Sequence, residues 1–278
     1  MNQTAPTTPR FDSNRAWQDA AAAVSGNRDV LIALVGVFIV VPAFALAVLM
    51  PMPEPQPGAE PEAILDLVGS HFRANWYYYI AAGLLNTIGT LALLALFGHA
   101  SRPTVGEAIR RALSATPSGI AVQLIQGLLL TSAVMLPTAL LGMGGEAMAV
   151  LGILIGVILA VWLWIRLALA SPVIVVEGQR NPIAALQRSL GLTRGNAGRL
   201  LLFFALLVVA FVIAAQLIQV AATLITQGLA GAEAAKLVGA LVAAMVNGVM
   251  TAYVVAALAT SHRQLAGPER PDFPQVFG

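Results

Sequence analysis

The sequence predicts an all-α integral membrane protein that crosses the bilayer six times. Three observations predict this fold class: the composition, six long apolar runs, and the distribution of arginine between those runs. Of the 278 residues, 58% are hydrophobic and only 10% are charged, and the mean hydropathy is +0.82. A soluble domain needs about 25% charged residues to cover its surface, so this composition excludes a soluble globular protein.

Six apolar runs are long enough to span a hydrocarbon core, which takes about 20 helical residues. They occupy residues 30–50, 77–97, 120–141, 147–167, 199–226 and 235–260. The first run follows a long polar leader and exceeds the about 7–15 apolar residues of a signal-peptide core, so we interpret it as a retained span. We therefore predict a transmembrane domain over 13–265 between two disordered tails, 1–12 and 266–278.

The basic residues predict which side each loop faces. Thirteen of the 15 fall in the N-terminal tail, in and around the second and fourth loops, and in the C-terminal tail, whereas Arg73 and Lys236 lie in the other loops. Because segments rich in Lys and Arg stay in the cytoplasm, we predict a bacterial inner-membrane protein with both termini cytoplasmic. The net charge of +2 is too small to indicate nucleic-acid binding, and the absence of cysteine excludes disulfides and thiolate metal sites.

The arginine-rich segments also have the pattern of short amphipathic helices. Asn181 and Pro182 form a helix start, and a capping box begins at Thr104. A looser third copy has Ser13 as its cap. We interpret these segments as three parallel repeats, each an interfacial helix followed by a two-span hairpin. A further interfacial helix is expected over 61–72, on the outer side.

Arg166 is the most informative single residue, and two interpretations of it remain open. Its guanidinium either lies inside the protein, paired with Glu177 or with a lipid phosphate, or it snorkels to the interface at a helix end. Together with Arg188 and Arg194, these two residues are the candidate contacts with headgroups or with a partner. A cation near anionic lipid contributes about 1 kcal/mol.

Polar side chains within the spans also allow two interpretations. They could line a cavity for a polar or lipid substrate, or they could join helices through hydrogen bonds of about 0.6–2 kcal/mol each. The candidate cavity residues are Gln123, Gln126, Gln216, Gln219, Asn247 and Thr251. Since no carboxylate lies in the middle of a span, the sequence offers no carrier for a proton relay.

Small residues and prolines predict local packing and bending. Gly152 and Gly156 form a GxxxG motif that permits close helix contact, within the chain or between subunits. Pro42 and Pro137 are expected to kink the first and third spans.

The sequence contains no group of residues that is typical of catalysis. It has no glycine-rich phosphate loop, no nucleophile elbow and no cluster of metal ligands. His71, His99 and His262 are isolated near span ends, so they are predicted to be interfacial residues. We therefore predict no catalytic residue, no metal site and no cofactor.

One stretch of about thirty residues resembles a known family. Arg166 is followed by "LALASPVIVVEGQ" and then by "NPIAALQRSLGLTRGNAGRLLLF". This pattern is similar to the membrane-domain family attached to some glycerophosphoryl diester phosphodiesterases. The matching positions are Arg166, Pro172, Glu177, Ala185, Leu186, Arg188, Ser189, Leu192 and Thr193. The attached phosphodiesterase would be a separate barrel of about 200 residues or more, for which this chain leaves no room. The resemblance therefore implies a membrane architecture and a link to lipids, without hydrolase activity.

The expected function is that of a non-enzymatic accessory or scaffold module in the inner membrane. Its expected partners are membrane lipids, anionic lipids above all, together with a partner membrane protein or a second copy of the chain. The alternative is a small transporter or lipid-handling protein that uses the polar residues as an intramembrane cavity.

Overall fold

A computed structural model describes residues 10–98 and 104–267 of the protein, and within these residues the chain forms helices and no strands. The predicted all-α class is confirmed. Most of the two tails predicted to be disordered lies outside the described residues, as do His99 and Arg102. In the described part of the N-terminal tail, Phe11 is buried, and Asp12 rather than Ser13 caps the first helix.

Nine α-helices follow one another along the described chain. They are α1 Ser13–Ser25, α2 Arg28–Val35, α3 Val41–Leu49, α4 Pro61–Gly98, α5 Val105–Gly142, α6 Glu146–Leu167, α7 Ala170–Val176, α8 Pro182–Leu192 and α9 Ala197–Ala266. A π-helical turn, Gly36–Val40, joins α2 to α3 immediately before Pro42. A π-turn relaxes the local hydrogen-bond ladder, which accommodates a proline that has no N–H to donate.

Five helical segments in the described chain are long and apolar enough to cross a membrane. They are Arg28–Leu49, Pro61–Gly98, Val105–Gly142, Glu146–Val176 and Ala197–Ala266. The first covers all of the predicted span 30–50 except Met50, and the next three contain the second, third and fourth predicted spans. The fifth contains the two remaining predicted spans in a single run of 70 residues. The chain is therefore a multi-pass α-helical membrane protein.

The long α9 is folded back on itself at Gly231. This glycine has φ 86° and ψ 176°, a backbone conformation that is essentially restricted to glycine. The Gln219 side chain donates to the Gly239 carbonyl at 3.2 Å, whereas twenty residues of straight helix would separate them by about 30 Å. Helix α9 thus consists of two antiparallel arms, 197–230 and 232–266.

Two predicted interfacial helices are not separate elements, which corrects the sequence interpretation. Residues 61–72 are the beginning of α4, and the helix that follows the Thr104 capping box continues into the third predicted span as α5. Neither helix is broken between its amphipathic and apolar parts, and Pro117 is accommodated inside α5. Each 38-residue helix is about 57 Å long, so it extends beyond a hydrocarbon core of about 30 Å.

The GxxxG motif packs within the chain. A Cβ atom added to Gly152 would lie 2.6 Å from the Pro137 carbonyl oxygen, and one added to Gly156 would lie 2.7 Å from the Cα of Val134. Helices α5 and α6 therefore meet backbone to backbone, as small residues allow.

Buried residues concentrate at one end of the bundle, which we call the arginine-rich end. There the last turns of α4, most of α7, one face of α8, and the first turns and the C-terminal third of α9 form a continuous core, with Leu94, Ile174 and Phe204 among its fully enclosed side chains. In the described residues this end carries eleven arginines and five carboxylates, and the opposite end carries two basic residues and six carboxylates. The bundle is thus both tightest and most basic at the same end.

Candidate functional site

The candidate site is built around the break between α6 and α7. Where a helix ends, its last carbonyls lose their partners and need other donors. The Arg166 carbonyl accepts hydrogen bonds from Ser189 Oγ at 2.9 Å and Thr193 Oγ1 at 3.3 Å. The Leu167 carbonyl accepts one from Gln126 Nε2 at 2.8 Å. Side chains from α5 and from the end of α8 therefore supply the donors that these two carbonyls need, which fixes both helices against α6.

The Arg166 side chain strengthens the same junction. Its Nη2 donates to the Leu190 carbonyl in α8 at 3.0 Å, and its guanidinium lies 5.4 Å from the ring centre of Trp162. Its Nε is buried and has no hydrogen-bond partner among the described residues. Glu177 pairs with Arg188 and His262 instead of with Arg166. The predicted pairing between Arg166 and Glu177 is therefore wrong. Arg166 joins α6 to α8.

Glu177 follows α7 and bridges two elements that are distant in the sequence. Arg188 Nε of α8 lies 3.1 Å from Glu177 Oε2, and His262 Nε2 of α9 lies 2.9 Å from Glu177 Oε1. The side chain of His262 is only 3% exposed, whereas those of Glu177 and Arg188 are 28% and 48% exposed. The prediction that His262 is an interfacial residue is therefore wrong, because it is a buried partner of Glu177.

The contacts of Glu177 favour its charged form. The hydrogen bond from His262 holds the pKa of the Glu177 carboxyl below its usual value, partial burial opposes that effect, and the hydrogen bond from Arg188 lowers the pKa further. Glu177 is consequently a carboxylate around neutral pH. A charged acceptor strengthens both hydrogen bonds that it receives.

Two further arginines satisfy backbone groups at this end. The Arg180 guanidinium donates to the Ser114 carbonyl and, at 3.1 Å, to Ser114 Oγ. Arg263 Nη1 donates to the Phe97 carbonyl at 2.8 Å, near the end of α4. These contacts attach α5 and α4 to segments that are more than sixty residues away in the sequence.

Other arginines at this end expose their side chains on the surface. Among them is Arg194, a predicted headgroup contact, which lies in the turn between α8 and α9. Within the described parts of the chain, the exposed arginines with no hydrogen bond from the guanidinium include Arg10, Arg28, Arg110, Arg194 and Arg199. The arginine-rich end thus has an inner set of arginines that join helices and an outer set that faces the surroundings.

The six candidate cavity residues are spread over different helix pairs. Gln123 accepts a hydrogen bond from Thr87 at 3.2 Å, and Gln126 and Gln219 donate to the backbone carbonyls described above. Gln216 and Asn247 are exposed on the outer face of α9. Thr251 donates to the Asn247 carbonyl one turn earlier in the same helix. Three of these residues therefore join neighbouring helices.

Sequence reasoning missed the part that α9 plays in this site. The amide oxygen of Asn196 accepts from the buried Phe11 N–H at 2.9 Å, and Gln264 accepts from the Asp12 N–H at 3.0 Å. Both bonds attach the segment before α1 to α9. Neither residue stands in a recognisable motif, so no pattern in the sequence indicates these contacts.

The described part of the chain contains no group of three or more His, Cys, Asp or Glu residues that could hold a metal ion. The chemistry of the candidate site is that of guanidinium groups, the Glu177 carboxylate, the His262 imidazole and hydroxyl donors. Such an arrangement can bind anions and fix helices.

Comparison with known proteins identifies a family match. Residues 123–262 match a family described as the membrane domain of glycerophosphoryl diester phosphodiesterase. The matched region is about half of the chain and extends from within α5 to the end of the described site, including Arg166, Glu177, Arg188 and His262. No curated protein and no solved structure matches the chain significantly.

Proposed function

This chain belongs to the family of glycerophosphoryl diester phosphodiesterase membrane domains, and on that premise we propose that it is a non-enzymatic accessory module of the bacterial inner membrane. In this proposal it crosses the membrane six times and binds anionic lipid headgroups at its arginine-rich end.

The six-span topology is supported by the fold of α9. If the two arms of α9 each cross the membrane, they give six crossings together with the four other apolar segments. An even number of spans brings both termini to the same side. Because the arginine-rich end carries the excess of basic residues, the positive-inside rule assigns that end, with both termini, to the cytoplasm.

The outer set of arginines is the observation that carries the proposal. These side chains are exposed around a core whose other arginines are bound to carbonyls and to Glu177. Helices α1 and α8 bury small and apolar residues on their inner faces, including Ala16, Ala20 and Ala185. They therefore present their polar faces outward at the level where headgroups lie. Several arginines at about 1 kcal/mol each give useful affinity for an anionic surface.

The accessory role is supported by what the polar groups contact. The inner set of arginines and three of the candidate cavity residues stabilise helix junctions. The family that matches is named for a membrane domain, and the reaction belongs to the phosphodiesterase to which such domains are attached. Hydrolysis of a glycerophosphodiester by the purified chain would contradict the non-enzymatic role.

The test is lipid selectivity measured by native mass spectrometry of the detergent-solubilised protein, titrated with phosphatidylglycerol and with phosphatidylcholine. We expect the wild type to retain phosphatidylglycerol preferentially. The variant Arg28→Gln/Arg110→Gln/Arg194→Gln should lose this preference, because it removes three arginines of the outer set. The control Arg73→Gln/Lys236→Gln removes the two described basic residues of the opposite end and should keep the preference. Equal retention of both lipids by the wild type would contradict the proposal.

A further inference from the structure

An apolar groove lies between α1 and the first arm of α9. It has a volume of about 470 Å³ and is open along one side. Its lining residues are Ser13, Asn14, Trp17, Phe203, Leu206, Leu207, Ala210, Phe211 and Ala214. Volumes of about 300–1,000 Å³ with a largely apolar lining are typical of small-molecule sites.

Packed aromatic rings hold the walls of this groove in place. Trp17 of α1 stacks on Tyr253 of the second arm, with 5.7 Å between ring centres and 20° between planes. Tyr253 in turn contacts Phe211 of the first arm at 5.4 Å. At the floor, Phe203 is buried and contacts Phe11 at 5.5 Å. These ring contacts therefore fix both walls and the floor of the groove.

The groove has an apolar body and a basic end. Arg199 lies one helical turn before Phe203, on the same side of the first arm, and its side chain is exposed at the arginine-rich end. Ser13 and Asn14, both exposed, supply a hydroxyl and an amide on the α1 side of the groove. A guanidinium and neutral donors are suited to phosphate oxygens, and the apolar body is suited to a hydrocarbon chain.

We propose that this groove binds one acyl chain of an anionic glycerophospholipid from the surrounding bilayer, with the lipid phosphate at Arg199. The first arm belongs to a candidate membrane span, so the medium at the open side of the groove is lipid hydrocarbon. This inference rests on the proposed contact with anionic lipid and adds to it a defined binding site. The site is separate from the Glu177 cluster.

The test uses a phosphatidylglycerol that carries a photoactivatable diazirine in one acyl chain. The full-length protein is reconstituted in vesicles with this probe, irradiated, and mapped by peptide mass spectrometry. We expect labelling to concentrate in the peptides that contain residues 203–214 and 13–17. Even labelling of all lipid-exposed helices would overturn the proposal.

Matched tryptophan substitutions show whether the groove itself is required. Ala210 lines the groove, whereas Ala205 is exposed on the same helix and is not among its lining residues. We expect Ala210→Trp to lose the labelling of 203–214 because the indole fills the space, and Ala205→Trp to retain it. Wild-type labelling in Ala210→Trp would overturn the proposal.

The charged end is tested with a phosphatidylcholine that carries the same diazirine. Arg199→Gln should abolish the preference of the groove for phosphatidylglycerol, whereas Arg73→Gln, at the opposite end of the bundle, should preserve it. An unchanged preference in Arg199→Gln would overturn the assigned phosphate contact. The labelling experiments report on the groove alone, whereas the triple variant described above reports on the whole arginine-rich end. A failure of the groove proposal and a failure of the proposed function would therefore give different results.

Discussion

Nε2 of His262 lies 2.9 Å from Oε1 of Glu177, although the two residues are 85 positions apart in the sequence. This contact joins the end of α7 to the last turns of α9, and Arg188 adds α8 to the same carboxylate. Because the Glu177 side chain connects α7, α8 and α9, its charge state affects the packing of the whole arginine-rich end.

The first prediction concerns pH. A carboxyl whose pKa is lower in the folded than in the unfolded state stabilises the fold at pH above its unfolded pKa. For Glu177, whose pKa falls below the ordinary value of 4.5, this contribution should be complete above pH 4.5. The contribution should be lost as the pH falls from 4.5 through the lower pKa that Glu177 has in the folded state. Glu177→Gln should therefore lower the thermal midpoint near neutral pH, with a smaller difference from wild type in acid.

The measurement is the thermal midpoint in detergent between about pH 6 and pH 3, a range that brackets the carboxyl titration. Glu62→Gln, in the first turn of α4 at the opposite end, serves as the control. A constant difference between wild type and Glu177→Gln across this range would contradict the prediction.

The second prediction concerns Arg166. Arg166→Met keeps the apolar length of the side chain but removes the donor to the Leu190 carbonyl and the contact with Trp162. We expect a loss of about 1–3 kcal/mol in the free energy of unfolding, because a partly buried carbonyl loses a charged donor. Chemical denaturation in mixed micelles measures this loss. Arg194→Met, in an exposed turn, should change stability by less than about 0.5 kcal/mol, and equal effects of the two variants would count against the assigned role.

The third prediction concerns the contact between α5 and α6. In Gly156→Ala the new Cβ would lie 2.7 Å from the Cα of Val134, so the helices must separate. We expect destabilisation of about 1–3 kcal/mol, as for other overpacked sites. Gly127→Ala, where no atom lies within 4 Å of the added Cβ, should instead raise stability by up to about 1 kcal/mol through helix propensity. The same denaturation assay compares both variants, and a neutral Gly156→Ala would show that the contact is loose.

The fourth prediction concerns topology, for which the absence of native cysteine provides a clean background. In spheroplasts, a membrane-impermeant maleimide should label single cysteines at Glu54, Glu146 and Glu233. Cysteines at Arg15 and Arg194 should react only after permeabilisation. Labelling of position 233 on the same side as position 194 would contradict the fold-back at Gly231 and the six-span topology.

Much of the architecture could be predicted from the sequence because the responsible forces act locally. Hydropathy over about 20 residues identifies a segment that is stable in lipid. Among the described residues, this criterion located the apolar part of each of the five candidate membrane-spanning helices. The capping box at Thr104 and the helix start at Asn181 also depend on neighbouring residues alone, and both are present. The same local criteria could not show that residues 61–72 continue into α4, because an amphipathic and an apolar helix have the same backbone.

The sequence by itself determined the membrane class, the positions of the apolar segments, the asymmetry of charge and the family resemblance around Arg166. The tertiary structure decided the partners: Glu177 with His262, Arg166 with Leu190, and the groove between α1 and α9. The physical reason is that burial and pairing depend on which helix faces come together. A histidine at a span end has the same local sequence whether it faces water or a carboxylate 85 residues away.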